Sequence, residues 1–149
     1  MHAEVRLTIE GDKRLQRELN GMRRAARNQV MRPAIREGLT PILQEARRRT
    51  PWMSLRKLLA KEVKTSRKGK GVWGRVYFRE HGTRTITVDD GRVVDFNTVA
   101  SIFEFGTKDG RILPRGMLRG AREAKTGEAL RVVRRRADQE LQKQWRRRI

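Results

Sequence analysis

The chain contains no cysteine in its 149 residues. That absence removes a disulfide framework, a thiolate zinc site and a cysteine nucleophile at once. Histidine is nearly as scarce: His2 and His81 stand far apart, in no metal-ligand spacing and with no histidine partner for acid–base work. Aromatic residues make up 5% of the chain, and Trp52, Trp73 and Trp145 fall on different expected elements. They read as core or interface anchors rather than as one base-stacking groove. No apolar run approaches the roughly 20 residues of a membrane span, and the opening MHAEVRLTIEG alternates instead of forming a signal-peptide block. The expectation is a soluble, unprocessed protein.

Acid is also in short supply. Thirty-seven Lys and Arg stand against 17 Asp and Glu, a net charge of +20. Residues 1–50, 51–110 and 111–149 carry net charges of +6, +5 and +9, so the excess is spread through the chain and is no detachable tail. Such a field selects polyanions or an acidic protein partner and is salt-sensitive. No phosphate-loop spacing occurs; Arg67, Lys68 and Lys70 read as a basic hairpin tip, with phosphate contact, DNA or an acidic partner as the sharper alternative.

What is present is a regular pattern. Val5, Leu7 and Ile9 alternate with polar residues as a half-buried strand closed by Gly11. Asp12 can cap a helix carrying Leu15, Leu19 and Met22, with a break expected near Asn28. A second helix places Ile35, Leu39, Ile42, Leu43 and Ala46 on one stripe; Pro33, Gly38 and Pro41 weaken it, and Pro41 predicts a kink. Thr50-Pro51 ends it. Residues 52–61 read as a loop or helical turn, followed by a strand at 62–66 and a return strand in which Val72, Gly74, Val76 and Phe78 alternate with Trp73, Arg75 and Tyr77. Asp89-Asp90-Gly91 predicts a second hairpin over 84–96. A short helix is expected over 99–105, and a C-terminal helix of about five to seven turns with Leu130, Val133, Ala137, Leu141 and Trp145 on one stripe. The expected fold is one α+β domain over 1–149: an antiparallel sheet of about four to five strands, two N-terminal helices, a short helix and a long C-terminal helix.

The centre of interest is residues 102–121, IFEFGTKDGRILPRGMLRGA. Gly106 and Gly110 bracket a tight turn, Pro114 stiffens its exit, and the apolar residues around it are too many for a solvated loop. Glu104 lacks a second carboxylate or histidine at a paired spacing, so it reads as a hydrogen-bonding or ion-pairing residue rather than a general base. No catalytic, cofactor-binding or metal-binding residue is expected, and no enzyme.

The segments GLTPILQEARRRTP, SLRKLLAKEVK and VASIFEFGTKDGRILPRGMLRGA resemble the head–tail joining, or tail-completion, proteins of long-tailed bacteriophages. Glu104, Phe105, Gly106 and Thr107 match that family's Glu-Phe-Gly-Thr element. The following Pro-x-Arg-Pro-Phe-Leu-Arg-Pro-Ala element is matched over Leu113–Ala121 at Arg115, Leu118, Arg119 and Ala121, with Gly116 and Gly120 in place of prolines and Met117 in place of phenylalanine. Residues 84–96 look like a hairpin insertion.

The resemblance implies a structural protein of the virion neck or tail, made in the host cytoplasm, which forms a ring, commonly of six copies. The implied partners are further copies of itself, a tail tube or tail terminator protein, a head connector, adaptor or stopper protein, and phage DNA in the channel. Phe103, Glu104, Phe105, Gly106, Thr107, Pro114, Arg115, Met117, Leu118 and Arg119 would form the interface. A different class, a basic nucleic-acid-binding protein or toxin-type ribonuclease, also fits the charge, without a ribonucleoprotein or helix-turn-helix signature to carry it.

Overall fold

The computed structural model describes residues 4–7, 13–66, 71–79, 85–87, 91–95, 100–101, 104–111 and 116–147. In chain order these give β1 (Glu4–Leu7), α1 (Lys13–Asn20), α2 (Arg24–Arg49), α3 (Met53–Arg56), β2 (Leu59–Thr65), β3 (Val72–Phe78), β4 (Thr85–Thr87), β5 (Val93–Asp95) and α4 (Met117–Arg146).

The strands correct the expected fold. A single sheet of four to five strands does not form among the described residues. β1, β3 and β2 make a three-stranded antiparallel sheet in that order, while β4 and β5 pair as a separate two-stranded ribbon. Class α+β holds in general, but the body is two long helices on a small sheet rather than several helices on a wide one. The reason is length: β4 and β5 have three residues each, too short to carry an apolar face across to the main sheet.

The main sheet follows its alternation. Val76 faces Val5 and Lys61 in register, and Leu59 faces Phe78. Leu59, Val63, Gly74, Val76 and Phe78 are buried beneath α2. At Gly74 the helix comes so close that a Cβ would lie 2.6 Å from Ile35 Cγ2 and 2.7 Å from Leu39 Cδ1. The opposite face is wet and charged. Arg75 bridges Glu4 at 3.0 Å and Glu62 at 2.8 Å, and its guanidinium lies over Tyr77 at 4.2 Å while that of Arg6 lies over Trp73 at 4.7 Å. Burial alone would raise the Glu4 pKa, but hydrogen bonds from Arg75 and Arg6 bring it below the ordinary carboxylate value.

Helix α2 runs unbroken from Arg24 to Arg49. The break expected near Asn28 falls instead at Gly21–Arg23, where the chain turns between α1 and α2. Pro33 and Pro41 both lie inside the helix. Each interior proline costs about 3 kcal/mol or more, whereas each fully buried aliphatic side chain contributes about 1.5–3 kcal/mol. Val30, Ile35, Leu39 and Ile42 are all essentially fully buried, and that packing outweighs the two prolines. Lys61 Nζ donates to the Arg36 carbonyl at 3.1 Å and to Thr40 Oγ1 at 2.6 Å, tying β2 to the turn beside Pro41. Thr50 ends the helix with its hydroxyl donating to the Ala46 carbonyl at 2.7 Å. Strand β2 starts at Leu59, three residues before the expected position, because Leu59 already packs into the core.

Helices α2 and α4 lie antiparallel. Arg49 sits over Gly120, Arg136 pairs with Glu37 at 3.2 Å, and Gln144 bonds Gln29 at 3.0 Å. Apart from Leu118, the buried residues of α4 fall on a four-residue repeat: Met117, Ala121, Ala129, Val133, Ala137 and Leu141. The expected stripe is corrected at two residues: Leu130 is 36% exposed and Trp145 70% exposed. A four-residue repeat drifts around a helix of 3.6 residues per turn, so the contact ridge winds across α4, as ridges packed into the grooves of a neighbour do. The helix has 30 residues, about eight turns rather than five to seven.

Candidate functional site

The Glu-Phe-Gly-Thr segment and the first turn of α4 form one local structure. Helix α4 begins after Gly116, which offers no side chain for capping. Its first N–H groups must find acceptors elsewhere. Glu104 supplies them: its carboxylate accepts the N–H of Leu118 through Oε2 and that of Arg119 through Oε1, each at 2.9 Å. Glu104 is 2% exposed, and its negative charge lies at the positive end of the helix dipole. Fourteen residues of sequence separate Glu104 from Leu118, and this bidentate contact closes the loop between them.

The turn between the two segments is internally bonded. Gly106 and Gly110 take φ of +76° and +75°, values that side chains beyond glycine seldom adopt. The Gly110 N–H donates to the Thr107 carbonyl at 3.1 Å. Asp109 Oδ1 accepts the Thr107 hydroxyl at 2.7 Å and the Arg111 N–H at 3.1 Å. These bonds, that from Thr107 first, hold the Asp109 pKa below its ordinary value. Asp109 thus staples the turn in the manner of an Asx residue.

A second clamp lies beside the first. Glu45, buried near the end of α2, accepts both Arg48 and Arg49, the latter at 2.9 Å. The hydrogen bond from Arg48, backed by Arg49, lowers the Glu45 pKa to about 2. Arg49 then lies against α4, where a Cβ on Gly120 would come within 2.5 Å of its Nη1. Glycine at 120 leaves room for that guanidinium.

The residues expected at the interface therefore divide. Met117 and Leu118 are fully buried in the chain's own core. Glu104 is likewise turned inward. Phe105 is different: it is 46% exposed, with the exposed Arg119 6.0 Å from its ring. Lys108, Asp109 and Arg111 are exposed beside it, while Gly106 and Thr107 are half-buried. Phe103, Pro114 and Arg115, and the basic tip residues Arg67, Lys68 and Lys70, lie outside the described residues.

Residues 99–105 were expected to be a short helix; of these Ala100, Ser101, Glu104 and Phe105 are described, and all four are helical. Sequence reading missed Asp109, Glu45, Arg49 and Gly120. Asp109 could have been found from Thr-Lys-Asp-Gly, an Asx-turn pattern, and Glu45 from its spacing of three and four to Arg48 and Arg49. Nothing local signals Gly120, whose partner is 71 positions away in the chain.

Among the described residues no group of three His, Asp or Glu side chains could hold a metal ion, and no helix is long and apolar enough to cross a membrane. The arrangement offers a stapled corner: an exposed aromatic ring, a cation beside it, and a turn held by the hydrogen bonds of Asp109 and Glu104. No protein-family model, no curated protein and no solved structure matches the chain.

Proposed function

We propose that this chain is a structural virion-assembly protein of the head–tail joining, or tail-completion, kind, which docks in a ring at the phage neck or the head-proximal end of the tail. The observation that carries this reading is the corner at Phe105. The residues of the Glu-Phe-Gly-Thr element are divided between holding the corner and presenting it. Glu104 locks the element to α4, and Phe105 is left 46% exposed beside Arg119. A rigid aromatic with a neighbouring arginine is what an interface hot spot requires, because little conformational freedom is lost on docking.

In this reading the chain works by shape and charge. Phe105 fills a recess on a sister copy, on a tail terminator or tube protein, or on a head connector. Arg119 and Arg111 meet acidic groups there through charge-assisted hydrogen bonds. The +20 charge of each copy opposes ring closure, so acidic neighbours or DNA in the channel are part of the assembly.

The test uses phage tails made without this chain. Adding wild-type protein restores a terminal density in negative stain and the joining of heads. A Phe105→Ala/Arg119→Glu variant, shown by circular dichroism to be folded, should give neither. Normal head joining by that variant overturns the reading.

A further inference from the structure

Two strand edges stay open in this structure, and docking at Phe105 uses neither. The first is the outer edge of β2. The Arg79 N–H donates to the Leu58 carbonyl at 2.8 Å and the Ser66 N–H to the Gly71 carbonyl at 2.9 Å. In an antiparallel pair such positions alternate with others whose N–H and C=O point away from the partner, so Leu59, Lys61, Val63 and Thr65 turn their backbone groups away from β3. Arg47 donates to the Leu59 carbonyl at 3.2 Å. The backbone groups of Lys61, Val63 and Thr65 have no hydrogen-bond partner among the described residues. Their side chains leave the edge clear: Val63 is buried beneath α2, Lys61 is tied to the Arg36 carbonyl and Thr40, and Thr65 accepts Arg32 at 2.8 Å.

The second open edge belongs to the β4–β5 ribbon, which pairs with itself and, among the described residues, with no strand of the main sheet. Two strands of three residues each are marginal in water without a further strand. On β5, Val93 is 66% exposed, and Asp95 is exposed as well.

The two edges carry opposite charge. Residues 59–71 hold Lys61, Lys64, Arg67, Lys68 and Lys70 against Glu62, a net +4, whereas residues 85–95 hold Asp89, Asp90 and Asp95 against Arg92, a net −2 in a chain of +20. Two β2 edges repel one another, and so do two ribbons; only the unlike pair is matched. An open edge is a template for another strand, and one chain supplies both halves at equal concentration. We propose that β5 of one copy adds to the outer edge of β2 in the next copy, carrying that sheet from three strands to five. The contact is head to tail, so it repeats around a ring or along a filament. It deepens the ring reading above and rests on it for the assembly of copies.

The test uses the purified full chain, with association followed by sedimentation velocity over a concentration series and a salt titration. Wild type should self-associate, and less so as salt rises. A Lys64→Glu/Thr65→Pro variant reverses one charge and removes one outward N–H, at an edge position where proline is tolerated; it should lose about tenfold in affinity or more. An Asp89→Lys/Asp90→Lys/Asp95→Lys variant spoils the ribbon and should lose association too. Each variant keeps one sound half, so the mixture should form a one-to-one heterodimer and stop there. Amide hydrogen exchange on wild type needs no variant: the outward amides of β2, Val63 above all, should slow as concentration rises, while those of Ala60, Glu62 and Lys64, bonded to β3, stay slow throughout. A wild type that remains monomeric, a mixture that gives no heterodimer, or outward amides whose exchange ignores concentration would overturn the proposal. Such a failure leaves the head-joining test at Phe105 standing, because the variant used there keeps both edges.

Discussion

Glu104 and Leu118 are joined by a hydrogen bond from the Leu118 N–H to the Glu104 carboxylate at 2.9 Å, in a site where the helix has only a glycine, Gly116, to cap it. A buried carboxylate that serves two N–H groups is costly to remove, because both donors are left without partners. Glu104→Ala should lower stability by about 1–3 kcal/mol, read from the urea midpoint. Glu104→Gln, which keeps one acceptor oxygen, should fall between the two. A loss within about 0.5 kcal/mol for the alanine variant, the ordinary range for surface changes, would show that α4 starts without this clamp.

Gly74 fixes the distance between α2 and the sheet. A Cβ there would meet Ile35 Cγ2 at 2.6 Å and Leu39 Cδ1 at 2.7 Å, and both are buried branches without a free direction to move. Gly74→Ala should cost about 1–3 kcal/mol as overpacking. The double variant Gly74→Ala/Leu39→Ala should cost less than the sum of the two single changes, since the truncated leucine leaves room for the methyl group. Simple additivity in the denaturation midpoints would show that the strand and helix do not meet at this point.

These two contacts mark the limit of what can be read along the chain. The alternation in β3 and the apolar stripe of α2 depend on near neighbours, and Val76, Phe78, Ile35 and Leu39 are buried as expected. The sheet is another matter. Whether β4 and β5 join the main sheet depends on pairings between distant segments, and residues 85–87 and 93–95 offer too few side chains to decide it. Leu130 and Trp145 were misplaced for a subtler reason. A four-residue and a three-to-four-residue repeat differ by a few tens of degrees per turn, and the difference shows only where α4 has α2 to wind against. The 102–121 stretch was legible as a turn with apolar flanks. That Met117 and Leu118 point inward while Phe105 points outward follows from the Glu104 clamp, whose partner lies a full loop away.

Acid should loosen the end of α2 before it loosens the rest. Arg48 and Arg49 lower the Glu45 pKa from 4.5 to about 2. A carboxylate with a depressed folded-state pKa contributes stability that is fully present above its unfolded value, and that is lost as pH falls through the folded one. The window is therefore from about pH 4.5 down to about pH 2. Glu4 and Asp109 are also lowered and act in the same direction. The difference between wild type and Glu45→Gln isolates the one group. Urea midpoints measured across that window should fall more steeply for wild type than for Glu45→Gln, and the two curves should converge toward pH 2. Parallel curves would mean that Glu45 is unpaired in solution.

The α2–α4 seam carries alanines among its larger buried residues, and these set how close the helices come there. Between the Glu37–Arg136 and Gln29–Gln144 rungs lie Ala34 and Ala137, both with no exposed surface. A leucine in place of Ala137 has no void to enter in a core at crystal-like density, so it must spread the helices. Ala137→Leu should cost about 1–3 kcal/mol, although leucine is nearly as good a helix former as alanine. The matched change at Ala124, exposed on the same helix, keeps the propensity term and removes the packing term; it should stay within about 0.5 kcal/mol of wild type. Equal effects at the two positions in thermal or urea denaturation would place Ala137 outside the contact and undo the antiparallel register of α2 and α4.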